Sequence, residues 1–201
     1  MLIFYFAPGS SAMATHIALH EVGAAFEPRL LSFNAKEQQR PDYLALNPEG
    51  KVPALVIDGR VLTEVAATLY YLAKTYPAAG LWPQGGIEGE AQAISWMSFI
   101  ASTVHPARRA GEGRWREVFH LCEQRLGGRE WAVGGHYSIA DIHLFRLFWR
   151  FVDALGPDHA RYPGLMAHYE RIMARPAVKK TIAIESAAGY EFPLGAGTQV
   201  R

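Results

Sequence analysis

The segment around Asp58 and Gly59 constrains the fold of this chain more than any other. The two residues separate the apolar runs PALVI and RVL, and an Asp-Gly pair between such runs is the strongest short-range signal for a β-hairpin. The segment TEVAATLYYLAKTYP follows the hairpin and predicts a helix. We expect this helix to open with Thr63 as its N-cap, to carry Glu64 in its first turn, and to stop before Pro77.

The beginning of the chain predicts a parallel pair of strands. The apolar run MLIFYF is typical of a buried strand, and a helical pattern follows from Ser10 and Ser11 to Gly23. The segment AFEPRLLSF then predicts a second strand, in which Pro28 indicates an edge position or a bulge. A strand, a helix and a strand in about thirty residues form a βαβ unit, so we expect the two strands to be parallel.

The rest of the chain is predicted to be helical. Pro and Gly mark a linker at 77–87, in PAAGLWPQGGIEG. Beyond it Ser138 and Asp141 have the spacing of a capping box at the start of a buried helix. Further helices are expected over 88–109, 112–127, 163–174 and 176–187, and the aperiodic tail GYEFPLGAGTQVR is expected to wrap the surface. The predicted order is an α/β domain at 1–76, the linker, and an all-α domain at 88–201.

Composition narrows the classes of partner. The 201 residues carry a formal net charge of +1, which gives no electrostatic reason to expect nucleic acid or an acidic membrane. The single cysteine, Cys122, cannot form an intrachain disulfide and fits a reducing compartment. The apolar N-terminal run is too short for a signal core, and no segment approaches the ~20 apolar residues that span a bilayer. We therefore expect a soluble, cytoplasmic protein.

Four local features occur in a specific order along the chain. They are the strand-to-helix turn at Ser10 and Ser11, the segment NPEGKVPALVIDG, the helix start LTEVAATLYYLA and the helix start SIADI. In this order and spacing the chain resembles the glutathione S-transferase family, most closely the bacterial beta class. The resemblance implies a thioredoxin-like N-terminal domain that binds glutathione and an all-α C-terminal domain that contributes the site of a hydrophobic electrophile. It also implies a homodimer.

The resemblance assigns the cysteinyl part of glutathione to Val52. Most X-Pro bonds are trans, so the expectation of a cis bond between Val52 and Pro53 rests on the resemblance. The N–H and C=O of Val52 would then pair with glutathione as with an added strand. Lys51, beside Val52, and Lys36 are candidates to bind the glycine carboxylate, with a solvated surface lysine as the alternative for each.

The start of the third helix is assigned to the γ-glutamyl part of glutathione. Free N–H groups and the positive end of the helix dipole attract a carboxylate, and the resemblance implies that Glu64 receives the amino group. The family usually has Ser at the next position, where this chain has Val65. A backbone N–H remains there, but the hydroxyl is lost.

The serines are the candidate catalytic residues. A free thiol has a pKa near 8.5, and a helix N-terminus together with a hydroxyl donor favours the thiolate. The beta class usually has Cys at the position that aligns with Ser11, and Ser10 is the second choice. Because serine cannot exchange disulfides, the sequence favours conjugation of glutathione over a redox function.

The second substrate is expected against Phe6, His105 and Trp115. His105 matches a cleft histidine of the beta class, although a capping or surface role is equally open, and Pro106 after it is expected to end or kink its helix. No metal site is predicted, because His16, His20 and His143 lack a third ligand at convincing spacing. Two other functions remain open at this point: a catalytically silent binding protein of the same fold, and a glutathione-dependent isomerase or dehalogenase.

Overall fold

The computed structural model describes residues 1–191, which form two compact units. The first unit contains Met1–Ala79 together with the described chain from Pro176 onward, and the second contains Gly80–Arg175. The predicted path of the tail lies outside the described residues from position 192. Within 1–191, no helix has both the length and the hydropathy needed to cross a membrane.

A four-stranded mixed sheet forms the centre of the first unit. Its strands are β1 (Leu2–Phe6), β2 (Phe26–Leu30), β3 (Ala54–Ile57) and β4 (Arg60–Thr63), in the spatial order β2-β1-β3-β4. The pairing of β1 with β2 is parallel, and β3 is antiparallel to both β1 and β4. Both predicted pairings are confirmed. Pro28 lies in β2, an edge strand, where its missing N–H costs least.

The helices of this unit are α1 (Ala12–Glu21), α2 (Pro41–Leu46), α3 (Val65–Thr75) and α9 (Pro176–Ala188). Every side chain of α1 from Ala12 to Leu19 is buried, because the helix packs against the sheet, α3 and α9. A hydrogen bond of 2.7 Å between the hydroxyls of Thr15 and Thr68 joins α1 to α3. The helix α1 is therefore the centre of the packing of this unit.

The predicted start of the third helix was wrong by one residue. Thr63 is the last residue of β4, where it pairs with Ala54, and the N-cap of α3 is Glu64. Pairing with a neighbouring strand keeps Thr63 extended, so its local preference for an N-cap position does not decide where the helix begins. The chain turns instead at Glu64, whose φ is 67° and ψ is 128°.

The second unit is helical. Its helices are α4 (Gly86–Phe99), α5 (His105–Ala107), α6 (Glu112–Leu126), α7 (Ile139–Leu155) and α8 (Pro163–Met173). Each predicted helix of this region is present. The side chains of α7 from Ile139 to Phe151 are all buried, which confirms α7 as the central helix.

Helical turns continue beyond Pro106, so the expectation that Pro106 ends its helix is corrected, and the alternative of a kink stays a prediction. Helical turns continue from α4 through a π-helical segment, Ile100–Val104, then α5, and a final 3-10 turn, Arg108–Ala110. Proline has no N–H, and its ring clashes with the carbonyl four residues earlier in an α-helix. The wider π turn, in which the N–H of His105 bonds to the carbonyl of Ile100, lies directly before Pro106 and absorbs this conflict.

The start of α7 has the predicted capping box, extended by two further partners. Asp141 accepts hydrogen bonds from the backbone and side chain of Ser138 at 2.9 and 3.0 Å. It also accepts from the N–H of Ala132 at 2.7 Å and contacts Nε2 of His168 at 2.9 Å. Both side chains of the Asp141–His168 pair are fully buried. The carboxylate thus ties α7 to α8 and to the preceding loop.

We expect Asp141→Ala to lower the free energy of unfolding by about 3–5 kcal/mol, because it leaves a buried histidine and buried N–H groups without their acceptor. Asp158→Ala is the matched control, since the Asp158 side chain caps only Ala160, at an exposed turn. Its cost should be about 1 kcal/mol or less. Urea unfolding measures both, and equal costs for the two variants would contradict this account of Asp141.

Candidate functional site

The candidate residues of the first unit gather at one end of its sheet. In the register, Tyr5 of β1 lies opposite Ala54, and Ala54 lies opposite Thr63 of β4. The turn that leaves β1, the segment that enters β3 and the start of α3 therefore share an edge. The loop that leaves β2 reaches the same edge, because β2 is parallel to β1.

The two serines have different environments in the turn between β1 and α1. Ser10 is 5% exposed, and its hydroxyl accepts a hydrogen bond from the N–H of Ala12 at 3.2 Å. Ser11 is half-buried, and its hydroxyl donates to the carbonyl of Val52 at 3.1 Å. Ser11 is the N-cap residue of α1, but the hydroxyl that accepts from the first turn of the helix is that of Ser10.

The peptide bond between Val52 and Pro53 is cis, as expected. Lys51, the residue before Val52, is held by two hydrogen bonds. Its carbonyl accepts from the hydroxyl of Tyr43 at 2.5 Å and from the side-chain amide of Asn47 at 2.8 Å. Burial raises the pKa of Tyr43 to about 12, against a smaller opposing effect of Asn47, so the hydroxyl is a neutral donor near pH 7. Two hydrogen bonds therefore fix the backbone directly before Val52, the residue whose carbonyl accepts from Ser11.

The start of α3 offers backbone N–H groups, and its first helical residue, Val65, has no polar side chain. The first N–H groups of any helix have no partner within the helix. Val65 is 7% exposed, so its side chain belongs to the core, while the side chain of Glu64 is exposed. This end can therefore receive an anion through its backbone, with the Glu64 carboxylate close to the same place.

The two lysines lie at the border of this edge. Lys51 is exposed, and its ammonium pairs with Glu49 at 2.8 Å. Lys36 is exposed and has left-handed backbone, with φ at 53°, in the loop after β2. The binding role of both lysines stays a prediction.

The candidate residues for the second substrate have mixed environments. Phe6 is buried in the first unit, stacked on Phe4 with ring centroids 5.3 Å apart. Trp115 is buried in the core of the second unit, against Phe151 at 5.4 Å. His105 is exposed. These are the surroundings of each residue within its own unit, and their part in a substrate pocket stays a prediction.

Two further histidines, the buried His143 and the half-buried His20, have lowered pKa values. Burial lowers the pKa of His143 to about 3, with smaller effects of His105 and Arg146. Burial also lowers the pKa of His20 to about 4, with smaller effects of His16 and Lys180. Both imidazoles are therefore neutral near pH 7.

Sequence reasoning missed one buried carboxylate at this edge. Glu185 of α9 accepts a hydrogen bond from the N–H of Gly9, directly before the serines, at 2.7 Å. The same carboxylate contacts Nδ1 of His16 at 2.8 Å. No local pattern could have pointed to it, because Glu185 stands in an ordinary helical segment 176 positions from Gly9.

Comparisons with known proteins agree along the chain. The family model of the glutathione S-transferase N-terminal domain matches residues 1–74, and that of the C-terminal domain matches residues 93–176. A glutathione S-transferase of Xanthomonas campestris is 31% identical, over 90% of this chain and 97% of that protein.

Two solved structures extend the similarity to three dimensions. A sphingomonad glutathione S-transferase complexed with glutathione is 34% identical, with a TM-score of 0.81, over 92% of this chain and 98% of that one. The bacterial beta class enzyme of Sphingomonas chungbukensis is also 34% identical, with a TM-score of 0.79, over 91% of this chain and 98% of that one.

Because Glu64 has a positive φ, its substitution by glycine and by alanine should change stability differently but glutathione binding alike. A side chain at such a φ costs about 1–3 kcal/mol, whereas glycine adopts it freely at an entropic cost of about 0.5–1 kcal/mol. Glu64→Gly should therefore be more stable than Glu64→Ala by about 1 kcal/mol in urea unfolding. Both variants lose the carboxylate, so calorimetry should show weaker glutathione binding for both. Equal stability of the two variants would show that Glu64 is not strained.

Proposed function

The chain belongs to the glutathione S-transferase family, and on that premise we propose that it transfers the thiolate of glutathione to a small hydrophobic electrophile. The observation that carries the proposal is the 3.1 Å hydrogen bond between Ser11 and the carbonyl of Val52. It brings together the hydroxyl proposed to stabilise the sulfur and the backbone proposed to bind the cysteinyl part of glutathione.

Binding would exchange the partners of this hydrogen bond. When an extended peptide pairs with Val52, the cysteinyl N–H of glutathione takes the Val52 carbonyl as its acceptor. The Ser11 hydroxyl then loses its present acceptor and becomes available to donate to the sulfur. A hydroxyl donor and the N-terminus of α1 together favour the thiolate over the thiol. Binding of glutathione would thus free the Ser11 hydroxyl to stabilise the glutathione thiolate.

The rest of glutathione would follow the edge of the sheet. Its γ-glutamyl carboxylate would bind the backbone N–H groups at the start of α3, at Val65, and its amino group would bind Glu64. Its glycine carboxylate would lie toward Lys51 or Lys36. The thiolate then attacks the electrophilic carbon, a carbon–sulfur bond forms, and the leaving group departs with its electron pair. The pocket role of Phe6, His105 and Trp115 belongs to the same proposal.

A homodimer in the cytoplasm completes the proposal. Each unit exposes large apolar side chains in the single chain: Tyr70 in the first, and Ile87 and Ile94 in the second, with exposures of 49%, 83% and 58%. Burial of such side chains against a partner would stabilise a dimer, because it removes apolar surface from water. The thiol of Cys122 is buried, which is compatible with a reducing compartment.

The function is tested by calorimetry with glutathione, followed by conjugation of glutathione to chlorodinitrobenzene, a general electrophile. We expect both binding and turnover, since curated relatives from Xanthomonas campestris and Escherichia coli are named glutathione S-transferases. Binding without turnover toward a panel of electrophiles would support a silent binding protein instead. Absence of glutathione binding would overturn the proposal.

Ser11→Ala should lower kcat/KM for conjugation about 10- to 100-fold, since a hydrogen bond to a charged group contributes about 1.5–3 kcal/mol. The pKa of bound glutathione, followed by thiolate absorbance, should rise toward that of free thiol. Ser10→Ala is the matched control: it loses a helix cap worth about 1 kcal/mol of stability and keeps the thiol pKa. The opposite pattern would assign the sulfur contact to Ser10.

A further inference from the structure

Two loops flank the proposed glutathione site. The serine turn, Gly9–Ser11, leaves β1, and the lysine loop, 31–36, leaves β2. Building on the proposed function, we propose that the C-terminal segment 185–191 holds both loops in their binding positions, with Glu185 and Glu191 as positioning residues for the transfer reaction.

Glu185 fixes the serine turn from inside the unit. Its two carboxylate oxygens have separate partners: one accepts from the N–H of Gly9 at 2.7 Å, and the other contacts Nδ1 of His16 at 2.8 Å. Both side chains are at most 1% exposed. The position of the turn is therefore coupled to α1 and α9 through one buried group.

Tyr190 closes the same turn from a second direction. Gly9 has a φ of 70°, which few other residues adopt, and a Cβ built on it would approach the ring of Tyr190 to 2.9 Å. The backbone of Gly9 is thus bounded by the Tyr190 ring and bonded to Glu185. Ser10 and Ser11 follow directly, so their hydroxyls depend on where these two contacts place the chain.

Glu191 holds the lysine loop in a similar way. Its carboxylate accepts from the hydroxyl of Ser32 at 2.5 Å, from the N–H of Asn34 at 2.9 Å and from the N–H of Phe33. Burial alone would raise the pKa of Glu191, but these hydrogen bonds outweigh it and lower the pKa below its usual value. Lys36 follows in the same loop, so its approach to a bound carboxylate depends on this contact.

The physical reason for such positioning is the steep dependence of transfer on geometry. A displacement of about 1 Å at a reacting group can cost about 100-fold in rate. The two loops are connected to the sheet at one end only, and neither contains a regular helix or strand. The lysine loop has hydrogen bonds of its own, such as that from the N–H of Ser32 to Glu37. The two carboxylates of the C-terminal segment add a restraint from outside each loop by accepting from backbone N–H groups.

Each carboxylate should affect a different kinetic parameter. Glu185→Leu removes the acceptor of the serine turn, so kcat should fall about tenfold or more, with a smaller change in glutathione Kd. Glu185→Gln should restore most of this loss, because its amide oxygen can accept from the N–H of Gly9 and its amide NH2 can donate to Nδ1 of a neutral His16. Glu191→Ala should raise the Kd and KM of glutathione several-fold and leave kcat at saturation nearly unchanged.

Glu123→Leu is the matched control for a purely structural role. Glu123 also accepts from two backbone N–H groups, those of Gly164 and Leu165 at 2.7 and 2.8 Å, but in the second unit at the start of α8. Its loss should lower the melting temperature and leave kcat, KM and Kd unchanged. Kinetic effects of Glu185→Leu and Glu191→Ala no larger than those of Glu123→Leu would overturn the proposal.

Amide hydrogen exchange without ligand tests the positioning independently of transferase activity. Glu185→Leu should speed exchange in the peptide that contains Gly9–Ala12, and Glu191→Ala in the peptide that contains residues 32–36, each without the other. This readout keeps its meaning if the chain binds no glutathione. If Glu185→Leu does not fold, hydrogen exchange in Glu185→Gln and Glu191→Ala tests the proposal instead. Unchanged exchange in both loops would overturn the proposal.

Discussion

The pairing of β1 is the constraint on which the first unit depends. Because β1 is parallel to β2 and antiparallel to β3, the outgoing ends of β1, β2 and β4 and the incoming end of β3 meet at one edge. A wholly parallel or wholly antiparallel sheet would distribute these ends differently. The hydroxyl of Ser11, the backbone of Val52 and the start of α3 at Glu64 come together through strand directions, although they are far apart in the sequence.

Burial of α1 explains why polar side chains appear inside this unit. A helix enclosed by the sheet, α3 and α9 cannot satisfy its polar groups with water, so Thr15 pairs with Thr68 and His16 with Glu185. Breaking such a pair leaves a buried group without a partner, which costs more than the net worth of the pair. The same requirement brings the Glu185 carboxylate to the turn that carries the serines.

The second unit also has a buried central helix whose polar groups need partners inside the protein. The helix α7 is buried along its length, and the carboxylate of Asp141 at its start satisfies partners from the preceding loop and from α8. At Pro106, whose ring is rigid and whose N–H is missing, the backbone adjusts instead by forming the preceding π turn. In both units, buried polar contacts near the start of the central helix join it to neighbouring segments.

Local signals in the sequence determined the hairpin at Asp58 and the capping box at Ser138, since each needs only residues a few positions apart. The order of four such local features along the chain indicated the family. Tertiary structure decided the rest. Strand pairing kept Thr63 extended against its preference for an N-cap, and burial separated Ser10, which caps α1, from Ser11, which reaches Val52. The partner of the serine turn, Glu185, depends on how α9 packs on α1, because a contact across 176 positions exists only once the chain has folded.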